Sequence, residues 1–357
     1  MNRLPSLDGW RAVAITLVMF SHTWATTNPV SLPWHLTNNG DLGVRIFFVI
    51  SGFLITYLLI EEHRKTGSIS LRNFYIRRAL RIFPVYYLYL AVLAALTSWN
   101  LYTDATTSWI GALTYTRNML GQGRSATSHL WSLAVEEQFY VVWPVILVAL
   151  GLCSRWRLAI SLLVSIALTA FAMRLLPCDS DTFVCARMLN PKSALRYADS
   201  LAVGCVGSFL FANTPLAIPR SIRVSALYGI FAILCASTMW QPSSSFAVSA
   251  LITAQATATM SLIILSISET GTMLFRLLNS RPAIFIGVIS YSLYVWHVLF
   301  LSHYMGIEAQ GILHDGRTWW IASLAVASSS YFLIERPILR LKGRLTAPHS
   351  PAVALSH

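Results

Sequence analysis

Charged residues are scarce in this chain of 357 residues: they make up 11% of it, whereas 55% is hydrophobic. Average soluble proteins carry about a quarter charged residues, so the composition excludes an ordinary soluble domain. The apolar runs are long and lack dyad alternation, which excludes an outer-membrane barrel. Twelve Trp, 14 Tyr and 17 Phe suit two aromatic belts at membrane interfaces. We predict an all-α, polytopic membrane protein.

The common signatures of nucleotide and metal chemistry are also absent. There is no P-loop, GxGxxG, HExxH, CxxC or GxSxG, and the nine histidines show no metal-ligand spacing. We therefore expect no ATP hydrolysis, no metal site and no permanently bound cofactor. Five cysteines do not make a disulfide framework. Cys178 and Cys185 share one polar loop and can form a disulfide only if that loop faces an oxidising compartment.

Windows of about twenty apolar residues predict ten membrane spans, without internal repeats or low-complexity linkers. They centre on residues 9–27, 42–60, 82–98, 131–150, 157–175, 194–212, 222–240, 246–267, 283–302 and 318–334. The segment Trp109–Leu120 is too short and too polar to cross, so we predict a re-entrant or interfacial piece there. The expected organisation is one membrane domain over residues 1–345 and a short, disordered cytoplasmic tail over 346–357.

The positive charges fall mostly on one side of these predicted spans. With the N-terminus inside, 17 of the 26 Lys and Arg residues lie in inner loops and 5 in outer loops. The remaining four, Arg11, Arg45, Arg174 and Arg196, lie within spans. Cytoplasmic loops are enriched in Lys and Arg, so both termini are predicted to be cytoplasmic. This sidedness explains the net charge of +12 better than nucleic-acid binding does.

The first apolar segment, Leu7–Trp24, carries three ionisable residues, Asp8, Arg11 and His22. Eleven residues separate Arg11 from His22, which at about 100° per residue places both on one helix face, roughly 16 Å apart. An ionisable residue within a span is by default a functional-site hypothesis. The alternative is a signal peptide, which Asp8 and Arg11 fit badly. We place Arg11 near the inner end of the span and His22 near its outer end.

A dense basic cluster follows the second predicted span, in the sequence NFYIRRALRIFP (Asn73–Pro84). We predict an inner loop in which Arg77, Arg78 and Arg81 lie close together on one helix, at i,i+3 and i,i+4 spacing. Two interpretations stay open from the spacing alone. The cluster is a topology signal in contact with anionic lipid, or it is a clamp in which guanidinium groups hold phosphate.

Three carboxylates lie in or beside later spans. Glu136 and Glu137 begin the fourth span, and helical geometry predicts that one points into the bundle while the other points elsewhere. The alternative is an interfacial pair in the headgroup region. Asp199 is the sole carboxylate of the sixth span, and Arg196 at i−3 is a candidate for an intrahelical ion pair.

Other polar residues within spans have structural interpretations. Ser51-Gly52 favours close helix packing, whereas Arg45 in the same span needs a partner or a water-filled cavity. His297, inside the ninth span, is more typical of a hydrogen-bonded core histidine than of a catalytic one. Glu335, in FLIERP, has a candidate local partner in the next residue, Arg336.

Seven sequence blocks together resemble acyltransferase family 3, a family of bacterial polytopic O-acyltransferases. They are, in order, LDGWRAVAITLVMFSH, GVRIFFVISGFLI, FYIRRALRIFP, HLWSLAVEEQFYVVWP, YADSLAVGC, ISYSLYVWH and FLIERP. The resemblance covers residues 5–340. Each block alone is weakly specific, but seven in the family's order are highly specific.

The resemblance implies roles for particular residues. Arg11 and His22 match the family's Arg-x10-His signature, whose histidine is held to be essential. Arg78 and Arg81 match an Arg-x-x-Arg motif that is associated with the acyl-CoA donor, and we expect these two arginines and Arg11 to hold the phosphates of the donor.

Two further matches and one departure complete the comparison with the family's pattern. Glu136 matches the glutamate of the WSLxxExxFY block, which implies a catalytic role, and Asp199 matches the aspartate of the sixth-span block, which implies substrate binding. Arg45 stands where many members have an acidic residue, so its role is not implied.

The activity that the resemblance implies is O-acylation at or across the bacterial inner membrane. We expect transfer of an acetyl group from cytoplasmic acetyl-CoA, the co-substrate, to a hydroxyl of a glycan, with the bilayer as a further partner and no nucleic acid. His22, neutral because it is desolvated, is the expected general base or acyl carrier, and Glu136 its orienting or proton-sharing partner. A transporter or flippase without covalent chemistry is the competing hypothesis, and a non-catalytic partner of a glycan pathway is a weaker one. Since the chain ends shortly after Arg344, the membrane domain is expected to act alone or with a separate partner.

Overall fold

The computed structural model of the protein describes residues 4–24, 39–121, 123, 125–176, 193–301 and 316–345. Within these ranges the regular structure is helical. The helices are α1 Leu7–Trp24, α2 Gly40–Thr66, α3 Leu71–Ser98, α4 Thr106–Leu113, α5 Trp131–Ala149, α6 Trp156–Leu175, α7 Ala194–Asn213, α8 Arg220–Ser237, α9 Ser245–Ser268, α10 Met273–Leu278, α11 Arg281–Trp296, α12 Gly316–Ser330 and α13 Arg336–Leu345. A 3-10 turn, Ser128–Leu130, precedes α5, a second, His297–Phe300, follows α11, and a π turn, Tyr331–Glu335, joins α12 to α13.

The membrane character predicted from composition is confirmed. Eight of the described helices are long and apolar enough to cross a bilayer, namely α2, α3, α5 with its preceding turn, α6, α7, α8, α9 and α11 with its following turn. All eight overlap predicted spans. The first and last predicted spans are also helical, as α1 and as α12 with its π turn. The count of ten spans and the orientation of the termini stay predictions. Cys178, Cys185 and the tail over 346–357 lie outside the described residues.

The helical placement of Arg77, Arg78 and Arg81 is confirmed, but the predicted loop Asn73–Pro84 is wrong, because these residues form the first turns of α3 and continue into its membrane span. The helix begins after Ser70, whose side-chain oxygen accepts a hydrogen bond from the Asn73 amide at 3.3 Å, as is typical of an N-cap serine. Pro84 lies inside the helix. The basic cluster therefore has a fixed helical geometry. The high density of arginine kept these residues out of the apolar window that located the third span.

The centre of the bundle is α2, and α6 and α8 lie at its edge. Of the most apolar stretch of each helix, 72% of the residues are buried in α2 but 17% in α6 and 11% in α8. Large apolar side chains point outward from the edge helices, among them Leu168 and Ile233. An apolar exterior of this kind is the surface that lipid covers.

Glycines allow the central helices to pack almost backbone to backbone. A Cβ atom on Gly52 of α2 would overlap the carbonyl oxygen of Leu201 in α7, and one on Gly204 of α7 would overlap that of Val49 in α2. Small residues at such positions let helices approach closely in lipid, so the packing role predicted for Ser51-Gly52 is confirmed. Helix α1 approaches α11 in the same way, at Gly287.

We predict that Gly52→Ala destabilises the protein by about 1–3 kcal/mol or more, the range typical of overpacked cores, because the new methyl group meets the backbone of α7. Gly229→Ala is the matched control, since a Cβ atom there has open space around it and lies within helix α8. Thermal unfolding of the two purified variants in detergent tests this. Equal midpoints for both variants would show that α2 and α7 can separate without cost.

Candidate active site

A small cavity with charged walls lies where α1, α2, α3, α5 and α11 meet. Its volume is about 90 Å³, and its charged lining residues are Arg11, Arg78, Arg81, Glu136 and Glu137. We call it the deep cavity. Both glutamates line it, so the prediction that one of them points away from the bundle is wrong. Ionisable groups at the centre of an apolar bundle mark a functional site by default.

A larger opening adjoins the deep cavity. It measures about 610 Å³, shares Arg11, Arg78 and Arg81 with the deep cavity, and adds Lys65 and Arg77 to its lining. We call it the mouth. The three shared arginines thus stand at the boundary between the two spaces, and the mouth carries an excess of positive charge even though Glu61 and Glu62 also line it.

Two of the boundary arginines have carboxylate partners. Arg11 pairs with Asp8 within α1 at 3.1 Å. Arg81 pairs with Glu335 at the end of the π turn, at 3.7 Å. The local pair expected between Glu335 and Arg336 is therefore wrong, because the nearly fully buried Glu335 carboxylate turns to α3 instead. Its other oxygen accepts a hydrogen bond from Ser292 at 3.1 Å.

Arg78 differs from its neighbours. Within the described ranges its guanidinium has no carboxylate within 4.0 Å, and it lies instead over the rings of Phe74 and Tyr140, at 5.7 and 5.2 Å from the ring centroids. Aromatic faces attract a cation but leave the N–H donors of the guanidinium fork available. Arg78 is thus the boundary arginine best prepared to bind an anion.

Glu136 is held by a short chain of hydroxyl groups. Ser51 of α2 donates a hydrogen bond to the Glu136 carboxylate at 2.7 Å, and Tyr140 donates to the Ser51 hydroxyl at 3.0 Å. Ser51 therefore has a second role beyond the helix packing that its neighbour Gly52 provides, because it fixes the position of the carboxylate in the wall of the deep cavity.

Three histidine rings stack edge to face beyond the deep cavity. The His22 and His297 ring centroids are 4.9 Å apart, and the His297 and His129 centroids 5.2 Å apart. We call them the histidine cluster. Of the three, the sequence assigned a catalytic role to His22 alone and favoured a structural role for His297. The signal for His297 was its position inside an apolar span, but nothing in the sequence relates His129 or His297 to His22.

Each ring in the cluster has one nitrogen fixed by a backbone carbonyl. The acceptors for His22 Nδ1, His297 Nδ1 and His129 Nε2 are the carbonyl oxygens of Val18, Tyr294 and Val295, at 2.9, 2.7 and 3.1 Å. A carbonyl oxygen only accepts, so each of these nitrogens carries the proton. In the neutral ring, the second nitrogen is then a lone-pair acceptor. The backbone thus sets the tautomer that a base requires.

Tyr294 lies in the wall between the deep cavity and the histidine cluster. It lines the cavity, its ring lies 5.6 Å from His297, and its hydroxyl hydrogen-bonds Ser132 and the backbone carbonyl of His129. Glu136 lines the cavity, whereas His22 is not among the lining residues. The predicted partnership of Glu136 with His22 stays a prediction.

Asp199 lies away from both spaces, in a buried ion pair. Its carboxylate contacts Arg174 of α6 at 2.8 Å and accepts a hydrogen bond from Thr253 of α9, also at 2.8 Å. The intrahelical pair with Arg196 is therefore wrong. Arg45, the other arginine of interest, donates a hydrogen bond to Gln255 at 2.7 Å, which supplies the partner that its position in a span requires.

The segment that leads from α3 to His129 contains the short helix α4 and a group of polar side chains that hydrogen-bond to Asp104. The prediction of a non-crossing piece near Trp109 is matched by the eight-residue helix α4. Burial alone would raise the pKa of the Asp104 carboxyl. Hydrogen bonds from Thr127, Tyr102 and the Ala105 amide stabilise its charged form, and hold the pKa below its ordinary value.

The amino-acid sequence was compared with protein-family models and with curated proteins. The Acyl_transf_3 family model, an acyltransferase domain, matches residues 4–335. Two Staphylococcus aureus proteins, from strains COL and N315, are provisionally named as O-acetyltransferases and are 30% identical over 369 residues, 94% of this chain and 57% of theirs. O-acetyltransferase OatA of S. aureus strain NCTC 8325 is 27% identical over 376 residues, 95% of this chain and 58% of its own. The chain thus spans less than two thirds of the length of these relatives.

We predict that Asp199→Asn lowers the free energy of unfolding by about 3–5 kcal/mol. The substitution leaves the Arg174 guanidinium buried without its counter-charge. The double variant Arg174→Gln plus Asp199→Asn should recover most of this loss, since neither charge remains. Arg196→Gln is the matched control and should have a smaller effect than Asp199→Asn. Unfolding midpoints in detergent decide; a double variant no more stable than the single one would show that the pair is not the source of the effect.

Proposed function

The chain belongs to acyltransferase family 3, and from that premise we propose that it is an inner-membrane O-acetyltransferase that uses acetyl-CoA as co-substrate. The acceptor is a hydroxyl of a glycan, in a surface polysaccharide, a lipopolysaccharide or an oligosaccharide. The observation that carries the proposal is the adjacency of an arginine-lined cavity and a cluster of histidines across one side chain, Tyr294. The printed name of OatA supports the same reaction class.

The donor enters through the mouth. Coenzyme A carries phosphates at one end and the thioester at the other, and the planar guanidinium group suits bidentate phosphate binding. Arg78 is without a carboxylate partner among the described residues and takes a phosphate. Lys65 and Arg77, at the mouth, add positive charge around the nucleotide. The acetyl end then reaches inward, to the deep cavity.

The acceptor is activated by His22. Its Nδ1 proton is fixed by the Val18 carbonyl, so its Nε2 lone pair takes the proton of the acceptor hydroxyl. The hydroxyl oxygen bonds to the acyl carbon as the C–S bond of the thioester breaks, and the imidazolium returns the proton to the leaving thiolate. The products are an acetyl ester and the free thiol of coenzyme A. Glu136, held by Ser51, provides negative charge beside the boundary arginines while the donor is absent.

The orientation predicted from the positive charges fits a donor site on one side of the membrane and an acceptor site on the other. The mouth lies at the end of α2 and the start of α3, where the predicted inner loop residues Arg64, Lys65 and Arg77 are found. With the N-terminus in the cytoplasm, the mouth opens to cytoplasmic acetyl-CoA. The histidine cluster then faces the outer half of the membrane, where glycans are assembled or displayed.

We predict that His22→Ala lowers acetyl transfer by about 100-fold or more, the range typical of a general base. The assay uses purified protein in nanodiscs, labelled acetyl-CoA, and surface polysaccharide from a strain that lacks the gene. His63→Ala, on α2 and outside the histidine cluster, is the control. Full activity of His22→Ala would refute the catalytic assignment. Absence of any transfer by the unmodified protein would favour a transporter.

We predict that Arg78→Ala raises the KM for acetyl-CoA about tenfold to 100-fold, because a hydrogen bond between charged groups contributes about 1.5–3 kcal/mol. Arg78 is a cleaner choice than Arg81, whose loss would also leave buried Glu335 unpaired. Arg72→Ala, an exposed arginine on the same helix that lines neither space, is the matched control. An unchanged KM for the donor would leave the basic cluster as a topology signal.

A further inference from the structure

One carboxylate in the wall of the mouth is held by donors of the kind that bind phosphate. Glu62 of α2 accepts a hydrogen bond from the Ser70 amide with one oxygen, at 2.9 Å, and from the Arg77 guanidinium with the other, at 2.8 Å. All three residues line the mouth. A backbone N–H and a guanidinium both form strong hydrogen bonds to oxyanions. Glu62 therefore lies where an anion from outside the protein would find two donors.

The other carboxylate in the wall of the mouth, Glu61, is held differently. It contacts Arg64 at 3.4 Å and Lys65 at 3.7 Å, both on its own helix. These partners are 43% and 60% exposed, and exposed pairs of this kind are weak. Among the described residues that line the mouth, Glu62 is thus the carboxylate that occupies a defined pair of donors on another helix.

The adjacent arginines Arg77 and Arg78 lie at different depths. Arg78 lines both the deep cavity and the mouth, whereas Arg77 lines the mouth alone. Outward from its thiol, coenzyme A carries a diphosphate and then a ribose with a separate phosphate. A donor whose acyl end points to the deep cavity therefore brings its diphosphate to Arg78 and its ribose phosphate to the outer arginine, Arg77.

We infer that Arg77 and the Ser70 amide form the site for the ribose phosphate of coenzyme A, and that the Glu62 carboxylate fills this site until the nucleotide displaces it. The inference rests on the proposed function and specifies how its donor is recognised. A phosphate monoester carries about 1.5 to 2 negative charges at neutral pH, more than the carboxylate that it replaces. The Glu62 side chain is 20% exposed and turns to water.

This arrangement gives the two members of one ion pair opposite effects on binding. Arg77 attracts the ribose phosphate, whereas Glu62 competes with it for the same donors. An ion pair that served only to tie α2 to α3 would behave otherwise, because the loss of either member would loosen the same contact.

The test compares coenzyme A with dephospho-coenzyme A, which lacks only the ribose phosphate. Isothermal titration of each nucleotide into the purified full-length protein in nanodiscs gives two values of Kd. The ratio of the Kd for dephospho-coenzyme A to the Kd for coenzyme A measures what the ribose phosphate contributes. We expect a ratio of about ten for the unmodified protein, which corresponds to about 1.4 kcal/mol. A ratio near one would overturn the inference.

Substitutions at Glu62 and Arg77 should move this ratio in opposite directions. Glu62→Gln keeps the shape of the side chain but holds the site with neutral hydrogen bonds, which are about half as strong as charged ones, so the ratio should rise about tenfold. Arg77→Gln should lower the ratio to about one, and Arg77→Lys, a milder change, should lower it in part. An unaltered ratio in Glu62→Gln, with both nucleotides affected alike, would assign the pair a structural role and refute the site.

Glu61→Gln is the matched control, because it removes the same charge one residue earlier. Glu61 lines the mouth but has no described contact with Ser70 or Arg77. The ratio should therefore change by only about twofold, as expected for an exposed charge. An increase as large as that in Glu62→Gln would show that general electrostatic attraction, and not a defined site, binds the ribose phosphate.

Acetyl transfer from labelled acetyl-CoA to polysaccharide, measured on the same samples, separates this inference from the proposed function. If transfer occurs but the ratio is near one, the acetyltransferase stands and the ribose-phosphate site is refuted. If the ratios follow the expected pattern but no acetyl group is transferred, the nucleotide site stands and the proposed reaction fails.

Discussion

Positive charge held partly inside an apolar helix bundle is the constraint on which this structure depends. Arg11, Arg78 and Arg81 converge inside a bundle whose exterior is apolar, and removing a charged group from water costs several kcal/mol even after the protein relaxes. Asp8 and Glu335 compensate two of these charges. The π turn contributes directly, because it ends at Glu335, the residue that reaches across to α3. The arginine-lined boundary is therefore fixed by the packing of three separate parts of the chain.

Close helix contacts make that arrangement possible. Gly52 and Gly204 bring α2 and α7 together, and Gly287 brings α11 against the backbone of Asp8 in α1. The same helices carry the functional side chains. Ser51 adjoins Gly52 and holds Glu136, so the contact that packs the core also positions a charged group. The residue that permits close helix packing, Gly52, and the residue that positions Glu136, Ser51, are therefore neighbours on one turn of α2.

The sequence predicted the helices of this protein better than the contacts that charged side chains make between helices. Apolar windows located the long helices, and Arg11, singled out in the first of them, lines the deep cavity. The partners of Asp199 and Glu335 were missed, because Arg174 and Arg81 lie on other helices, and helical spacing reports only neighbours within one helix. His129 and His297 meet His22 only after α1, α5 and α11 pack together. The helical spacing at Arg78 was predicted, but not its continuity with the third span, although Ser70 is a recognisable N-cap.

Tyr294 has a consequence for the cell as well as for catalysis. A mouth lined by ionisable groups and a histidine cluster, placed end to end through a membrane, would form a continuous polar route along which protons could move. Within the described residues, the ring of Tyr294 and its hydrogen bond to Ser132 lie between the two spaces. In the proposed function the acetyl group and the acceptor hydroxyl meet at this ring, so the Tyr294 side chain separates the two polar spaces when no substrate is bound.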